Sequence, residues 1–184
     1  MFEQEDFDQK VGWFGGLFVS NGAFYITRSG TTSSGRDKYV VGATISVHIS
    51  RKEVLGDVIE IFEIGHILQK KKTFYNREYW EVKTIREVSV VLELLDQLVW
   101  PIPVMLTKQM DIIRRFMATK MQAGRPRDPE LADEVQWHRD EMYEEMKALT
   151  EWKKSIEYKE DLDAGVKRVE RAVRRARRAG DPQL

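Results

Sequence analysis

Residues 13–22, WFGGLFVSNG, run straight into AFYIT at 23–27, and the reading of this stretch decides the fold. Gly12, Gly16 and Ser20 recur every four residues. On a helix this spacing forms one stripe with almost no side chain, along which a second backbone can approach closely. Trp13, Leu17, Phe14 and Phe18 spread over the remaining faces, so the helix is expected to be buried nearly all round rather than amphipathic. Gly22 suits a left-handed cap, after which the apolar pattern becomes that of a strand.

Working outward, a first strand is predicted over 23–29 and a second over 38–50, joined by the small polar tip GTTSSGR. In the second, Val41, Ala43, Ile45, Val47 and Ile49 alternate with Gly42, Thr44, Ser46, His48 and Ser50. One face therefore enters a core. The matching split on the first strand puts Phe24 and Ile26 inside and Tyr25, Thr27 and Ser29 outside. A solvated sheet face explains this alternation, but such faces usually carry more Lys and Glu. Short or rigid uncharged donors and acceptors also suit base edges and phosphates in a groove that admits a twisted β-ribbon. Arg36 and Lys38 beside the tip are candidates for the same contact.

Further along, Ser50 is expected to N-cap a helix over 51–64 that Gly65 ends. A second hairpin follows, with HILQ and EYWEVKTI around KKKTFYNR, a tip containing Lys70, Lys71, Lys72 and Arg77. Those cations fit either phosphate contact or a solubilising loop. Helices are predicted over 87–99 and 105–122, separated by Pro101 and Pro103.

Composition sets bounds on all of this. The chain has 184 residues, 42% of them hydrophobic, with 30 basic and 30 acidic side chains and no cysteine. One real core plus appendages is expected, without disulfides or thiolate metal sites. The acidic, polar start MFEQEDFDQK does not read as a signal peptide, so an intracellular location, cytoplasmic or nucleoid-associated, is expected. Residues 1–9 read as a loosely held lead.

Phe14, Gly15, Gly16, Leu17, Phe18, Val19, Ser20, Asn21 and Gly22 resemble the nine-letter signature helix of the LAGLIDADG homing endonucleases. They keep the small pair, the apolar residues, the last glycine and the aromatic strand beyond. The two acidic positions of the motif are Val19 and Asn21 here. The order helix, strand, strand, helix, strand, strand, helix extends the resemblance over residues 10 to 148. It implies an α+β fold, an αββαββα unit with extra C-terminal helices. With one motif per chain it implies a homodimer whose saddle binds double-stranded DNA at a pseudo-palindromic site. Gly12, Gly15, Gly16, Val19 and Ser20 are then expected at the dimer interface.

Family activity is Mg²⁺-dependent double-strand cleavage, and the acid before the last glycine is the metal-binding residue. Asn21 occupies that position with a neutral oxygen, so it is expected to weaken metal binding and suppress cutting while binding needs no cofactor. The helix LTKQMDIIRRF resembles the one that carries a lysine near the scissile phosphates, which makes Lys108 the corresponding candidate.

The resemblance divides the chain into a core domain over 10–123, a C-terminal helix over 124–149 packed on it, and a charged helical tail over 150–184. Asp128 with Pro129 reads as an N-cap and first-turn proline for that C-terminal helix. The tail contains VKRVERAVRRARR, seven basic residues against one acid, which reads equally as DNA contact or as a solvated helix. His48, His66 and His138 fall on different elements and suggest no shared site. Three functions stay open: a sequence-specific, non-cleaving DNA binder used in transcription regulation, a homing endonuclease inactivated by an engineered Asp-to-Asn change at 21, and a protein-interaction module that kept the fold.

Overall fold

The computed structural model describes residues 2–68, 77–99, 101–123 and 128–152, with backbone alone over 2–5 and 120–123. The chain divides into two compact units, Met1–Met146 and Lys147–Leu184. In the first, α1 (Phe2–Asn21) leads into β1 (Gly22–Thr31) and β2 (Asp37–His48). A 3-10 turn (Ile49–Arg51), α2 (Glu53–Phe62), β3 (His66–Leu68), β4 (Arg77–Val82), α3 (Ile85–Asp96) and α4 (Val104–Ala123) follow. A last helix, α5, covers 129–146. The second unit is described only over 147–152, which is helical; the basic run beyond lies outside the described residues.

The four strands form one antiparallel sheet in the order β1, β2, β4, β3. Its inner face carries most of the alternating apolar set predicted for β2: Val41, Ala43, Ile45 and Val47 are buried, together with Phe24, Ile26, Trp80 and Val82, whereas Ile49 falls in the 3-10 turn beyond the strand and is exposed. Helices α1, α3 and α4 cover this face. Aromatic rings form its centre, with Phe14 5.1 Å from Phe62 and 6.2 Å edge-on to Trp80, and Phe18 5.1 Å from Phe24. Each such side chain, fully buried, contributes on the order of 1.5–3 kcal/mol.

Several local expectations need correction. Helix α1 starts at Phe2 rather than after a loose lead, because the lead contains helix-forming Glu and Gln, and Lys10 just beyond it has its Nζ 2.6 Å from Asp6 one turn earlier. Gly22 has no left-handed φ and begins β1 directly; it is small because a Cβ there would overlap the Phe18 carbonyl and ring. Nor does Ser50 cap α2. The His48 side chain accepts from Ser50 N and caps the 3-10 turn instead, and α2 begins after Lys52 without a side-chain cap. That helix ends at Glu63, whose φ of 54° is left-handed, with Gly65 (φ 77°) making the next bend.

Strand β4 stops at Val82, short of Ile85, because Thr84 caps α3: its hydroxyl accepts from Glu87 N at 3.2 Å while Glu87 bonds back to Thr84 N. Asp128 opens α5 as predicted, its carboxylate accepting from Glu130 N at 2.9 Å. Helix α1, finally, is not buried all round. Val11, Phe14, Gly15 and Phe18 face the core, whereas Trp13 is 37% exposed and Ser20 and Asn21 are exposed. No helix among the described residues is long and apolar enough to cross a membrane.

Candidate nucleic-acid interface

Two features lie away from the core: the outer face of the sheet, and a groove along the open side of α1. Strand register builds the first. Tyr25 pairs with Gly42, and Thr44, Ser46 and His48 pair in turn with Glu81, Tyr79 and Arg77, while His66 pairs with Glu81 from the other side. Side chains alternate along a strand, so Tyr25, Thr27, Thr44, Ser46 and His48 share one face, as their sequence spacing predicts, and Arg77, expected in the hairpin tip, joins them as the first residue of β4 opposite His48.

Within that face the polar groups are differently committed. The Tyr25 hydroxyl donates to Glu81 Oε1 at 2.6 Å, and Thr44 Oγ1 donates to the Trp80 carbonyl at 2.9 Å. His48 Nδ1 accepts from Ser50 N at 3.3 Å and lies 2.8 Å from Ser50 Oγ, so the imidazole proton sits on Nε2. Ser46 Oγ is buried with no partner among the described residues. Ser29 sits at a bulge between Arg28 and Gly30 and bonds the Lys38 carbonyl at 3.3 Å, with Lys38 itself exposed.

Arg36, expected to meet DNA, is turned onto α5 in the protomer, with Nε 2.8 Å and NH2 2.7 Å from Asp133 and NH2 3.4 Å from the Pro129 carbonyl. Lys70, Lys71 and Lys72 lie outside the described residues.

Glu81 is the member of this face that sequence reasoning missed. It is 8% exposed, with Lys83 Nζ 2.6 Å and His66 Nε2 3.9 Å from Oε2. Its partner Tyr25 lies across Gly42, where any Cβ would overlap the tyrosine ring tip and the Val82 carbonyl. Burial, and next the bond to Glu81, hold the Tyr25 hydroxyl well above the usual tyrosine range. The signal in the sequence was the small residue opposite an aromatic one, Gly42 against Tyr25, which only the register makes visible.

The groove, of about 610 Å³, is lined by Gly12, Trp13, Gly16, Leu17 and Asn21 of α1 and by Val47, His48, Arg51, Val54 and Arg77. A Cβ built on Gly12 or Gly16 would meet nothing within 4 Å among the described residues, so they leave this stripe open. Ser20 bonds back to the Gly16 carbonyl at 2.8 Å, and Val19 is half-buried. Gly15 departs from the expected interface: it is buried, and the space a Cβ would need is filled by the Leu98 side chain of the same chain. That follows from position, one residue round the helix from Gly16.

Asn21 stands exposed at the end of α1, its Nδ2 3.4 Å from the Leu17 carbonyl. Around it the groove offers His48, Arg51 and Arg77 and, among the described residues, no carboxylate. The residues present do not fit a hard divalent ion, which wants several anionic oxygens, and no group of three His, Asp or Glu among the described residues can hold a metal. Lys108 is exposed on α4 and is not among the residues lining the groove.

No protein-family model matches the sequence, and no curated protein does. Comparison of folds gives a different result. The homing endonuclease I-TnaI superposes with a TM-score of 0.55 over 77% of this chain and 95% of its own, at 19% identity. I-CvuI, solved in complex with its target in the presence of calcium, gives 0.55 over 73% and 80%, at 14% identity. The LAGLIDADG meganuclease I-AabMI, bound to uncleaved DNA, gives 0.54 over 70% of this chain at 15% identity, and the chain spans only 44% of its length. The fold is that of the LAGLIDADG homing endonucleases.

Proposed function

From a chain with this fold we propose a sequence-specific, double-stranded DNA-binding protein that acts as a homodimer and does not cut. The observation that carries the reading is the groove at Asn21. Where the resemblance places a metal-binding acid, this chain offers a neutral amide with Arg51, Arg77 and His48 around it and no carboxylate among the described residues lining the groove. Guanidinium groups attract a phosphate and repel a divalent cation. The site is therefore suited to holding the DNA backbone rather than to activating water on it.

The Gly12 and Gly16 stripe supports the homodimer, since small residues let a second helix come close and none of the described residues fills the space above them. Two protomers related by a twofold axis would set two outer sheet faces along one duplex, each reading half of a pseudo-palindromic site. Such a binder is suited to regulating transcription. Inactivation by a single engineered change at residue 21 is the rival reading. It draws support from the near-identical shape of Asn and Asp side chains.

Selecting bound sequences from a random DNA pool and then assaying Asn21→Asp with Mg²⁺ on the selected site tests both. We expect an enriched pseudo-palindrome and no cleavage by either protein. Double-strand cutting by Asn21→Asp would move the assignment to the inactivated endonuclease. If nothing is enriched, the fold serves protein interaction instead.

A further inference from the structure

Tyr25 is held on the outer sheet face by a hydrogen bond and by close packing over Gly42. Its hydroxyl donates to Glu81 Oε1 at 2.6 Å. In this bond the hydroxyl is the donor and the carboxylate the acceptor, and the ammonium of Lys83 lies 2.6 Å from the other Glu81 oxygen. The pair cannot easily slide apart, because the ring lies over Gly42 and the carboxylate is 8% exposed. A tyrosine hydroxyl has one proton. With that proton spent on Glu81, the phenolic oxygen can offer nothing to an outside partner except a lone pair.

We infer that Tyr25, fixed by Glu81, is an acceptor-only reading head that selects a base carrying an exocyclic amine, adenine or cytosine, in the major groove. This rests on the DNA-binding reading above. In that groove, adenine N6 and cytosine N4 are the donors, whereas guanine O6 and N7 and thymine O4 are acceptors. An amine satisfies the phenolic oxygen. A keto group sets acceptor against acceptor at close range, and that repulsion is what discriminates. Glu81 is a positioning residue here: it decides which way the hydroxyl proton points and touches no base itself. The raised Tyr25 pKa, from burial first and the Glu81 bond second, keeps the proton in place at neutral pH.

The test is a comparison of selected sites from a random duplex pool for the full chain, Tyr25→Phe and Glu81→Met, with fluorescence anisotropy on single-base variants of the wild-type site. The wild-type protein should show one position in each half-site where adenine or cytosine is preferred over guanine or thymine by about 5- to 10-fold, the worth of one net hydrogen bond. Tyr25→Phe should lose the preference at that position alone. In Glu81→Met the hydroxyl is free to turn and donate, so keto bases should become tolerated there while the rest of the site is unchanged. Tyr25→Phe removes only an oxygen, so it decides the matter even if Glu81→Met fails to fold. A wild-type preference that survives in Tyr25→Phe, or a keto base preferred at the affected position, overturns the inference while leaving DNA binding intact. A wild-type protein that enriches no sequence overturns the DNA reading itself, and this inference with it.

Discussion

At the scale of single residues, the outer face is set by what each polar atom has already spent. Tyr25 has given its proton to Glu81, Thr44 has given its own to the Trp80 carbonyl, and His48 keeps a proton on Nε2 because Nδ1 is accepting from Ser50. Gly42 makes the first of these possible. Replacing it with alanine would press a methyl group into the Tyr25 ring tip and the Val82 carbonyl, and a strand carbonyl cannot give way as a side-chain end can. Gly42→Ala should therefore cost roughly 1–3 kcal/mol of stability, measured by urea unfolding. An alanine that proves neutral would mean that the tyrosine is not packed over this position.

At the scale of elements, α1 has two unlike sides made from residues one step apart. Gly15 is pressed against Leu98, while Gly12 and Gly16 meet open space. Alanine should act with opposite sign on the two. In Gly12→Ala and Gly16→Ala the protomer should gain about 0.5–1 kcal/mol each, because a helix interior favours alanine over glycine, yet association should weaken if a second copy of α1 packs there. Sedimentation beside thermal unfolding separates the effects, and dimerisation untouched by both substitutions would remove the proposed axis.

Helix α3 carries a pH-dependent start. Its Glu87 is held below the ordinary glutamate value of 4.5, chiefly by the bond from the Thr84 hydroxyl, with Gly65 N and Thr84 N adding to it. A lowered folded-state pKa means that the contribution is present above the unfolded value and is lost as pH falls through the folded one. The stability gap between the native protein and Glu87→Gln should thus narrow as pH falls through the ordinary glutamate value of 4.5 and below it. A gap constant across that range would show the carboxylate charge to be irrelevant to the cap.

At the scale of the whole molecule, α5 is tied to the β1–β2 hairpin by contacts from far along the chain. Arg36 reaches Asp133, Tyr39 donates to Asp140, and Arg28 lies 3.6 Å from Glu144 and 4.7 Å over the Tyr143 ring. Burial, with the Asp140 bond next, raises the Tyr39 pKa to about 12. Because Arg36 is spent on this contact, Arg36→Ala should leave the slope of log affinity against log salt unchanged and cost less than about 1 kcal/mol of stability. Arg77 lines the groove beside Asn21, and Arg77→Ala should make the slope shallower by about 1. An unchanged slope in Arg77→Ala would reject contact between this groove and the DNA backbone.

The sequence by itself determined the elements. The spacing of Gly12, Gly16 and Ser20, the alternation along β2 and the order of helices and strands depend on the local periods of 3.6 and 2.0, which neighbouring residues reveal without knowledge of what they pack against. It also determined that position 21 lacks a charge. What tertiary structure alone decided is where each polar side chain spends its hydrogen bonds. Arg36 and Tyr25 look equally available in the sequence. One is anchored to Asp133, 97 residues away, and the other to Glu81, 56 residues away. Partners so distant are chosen by strand register and helix docking, which no local period encodes, and the same holds for Gly15, whose neighbour Leu98 arrives only when α3 folds back onto α1.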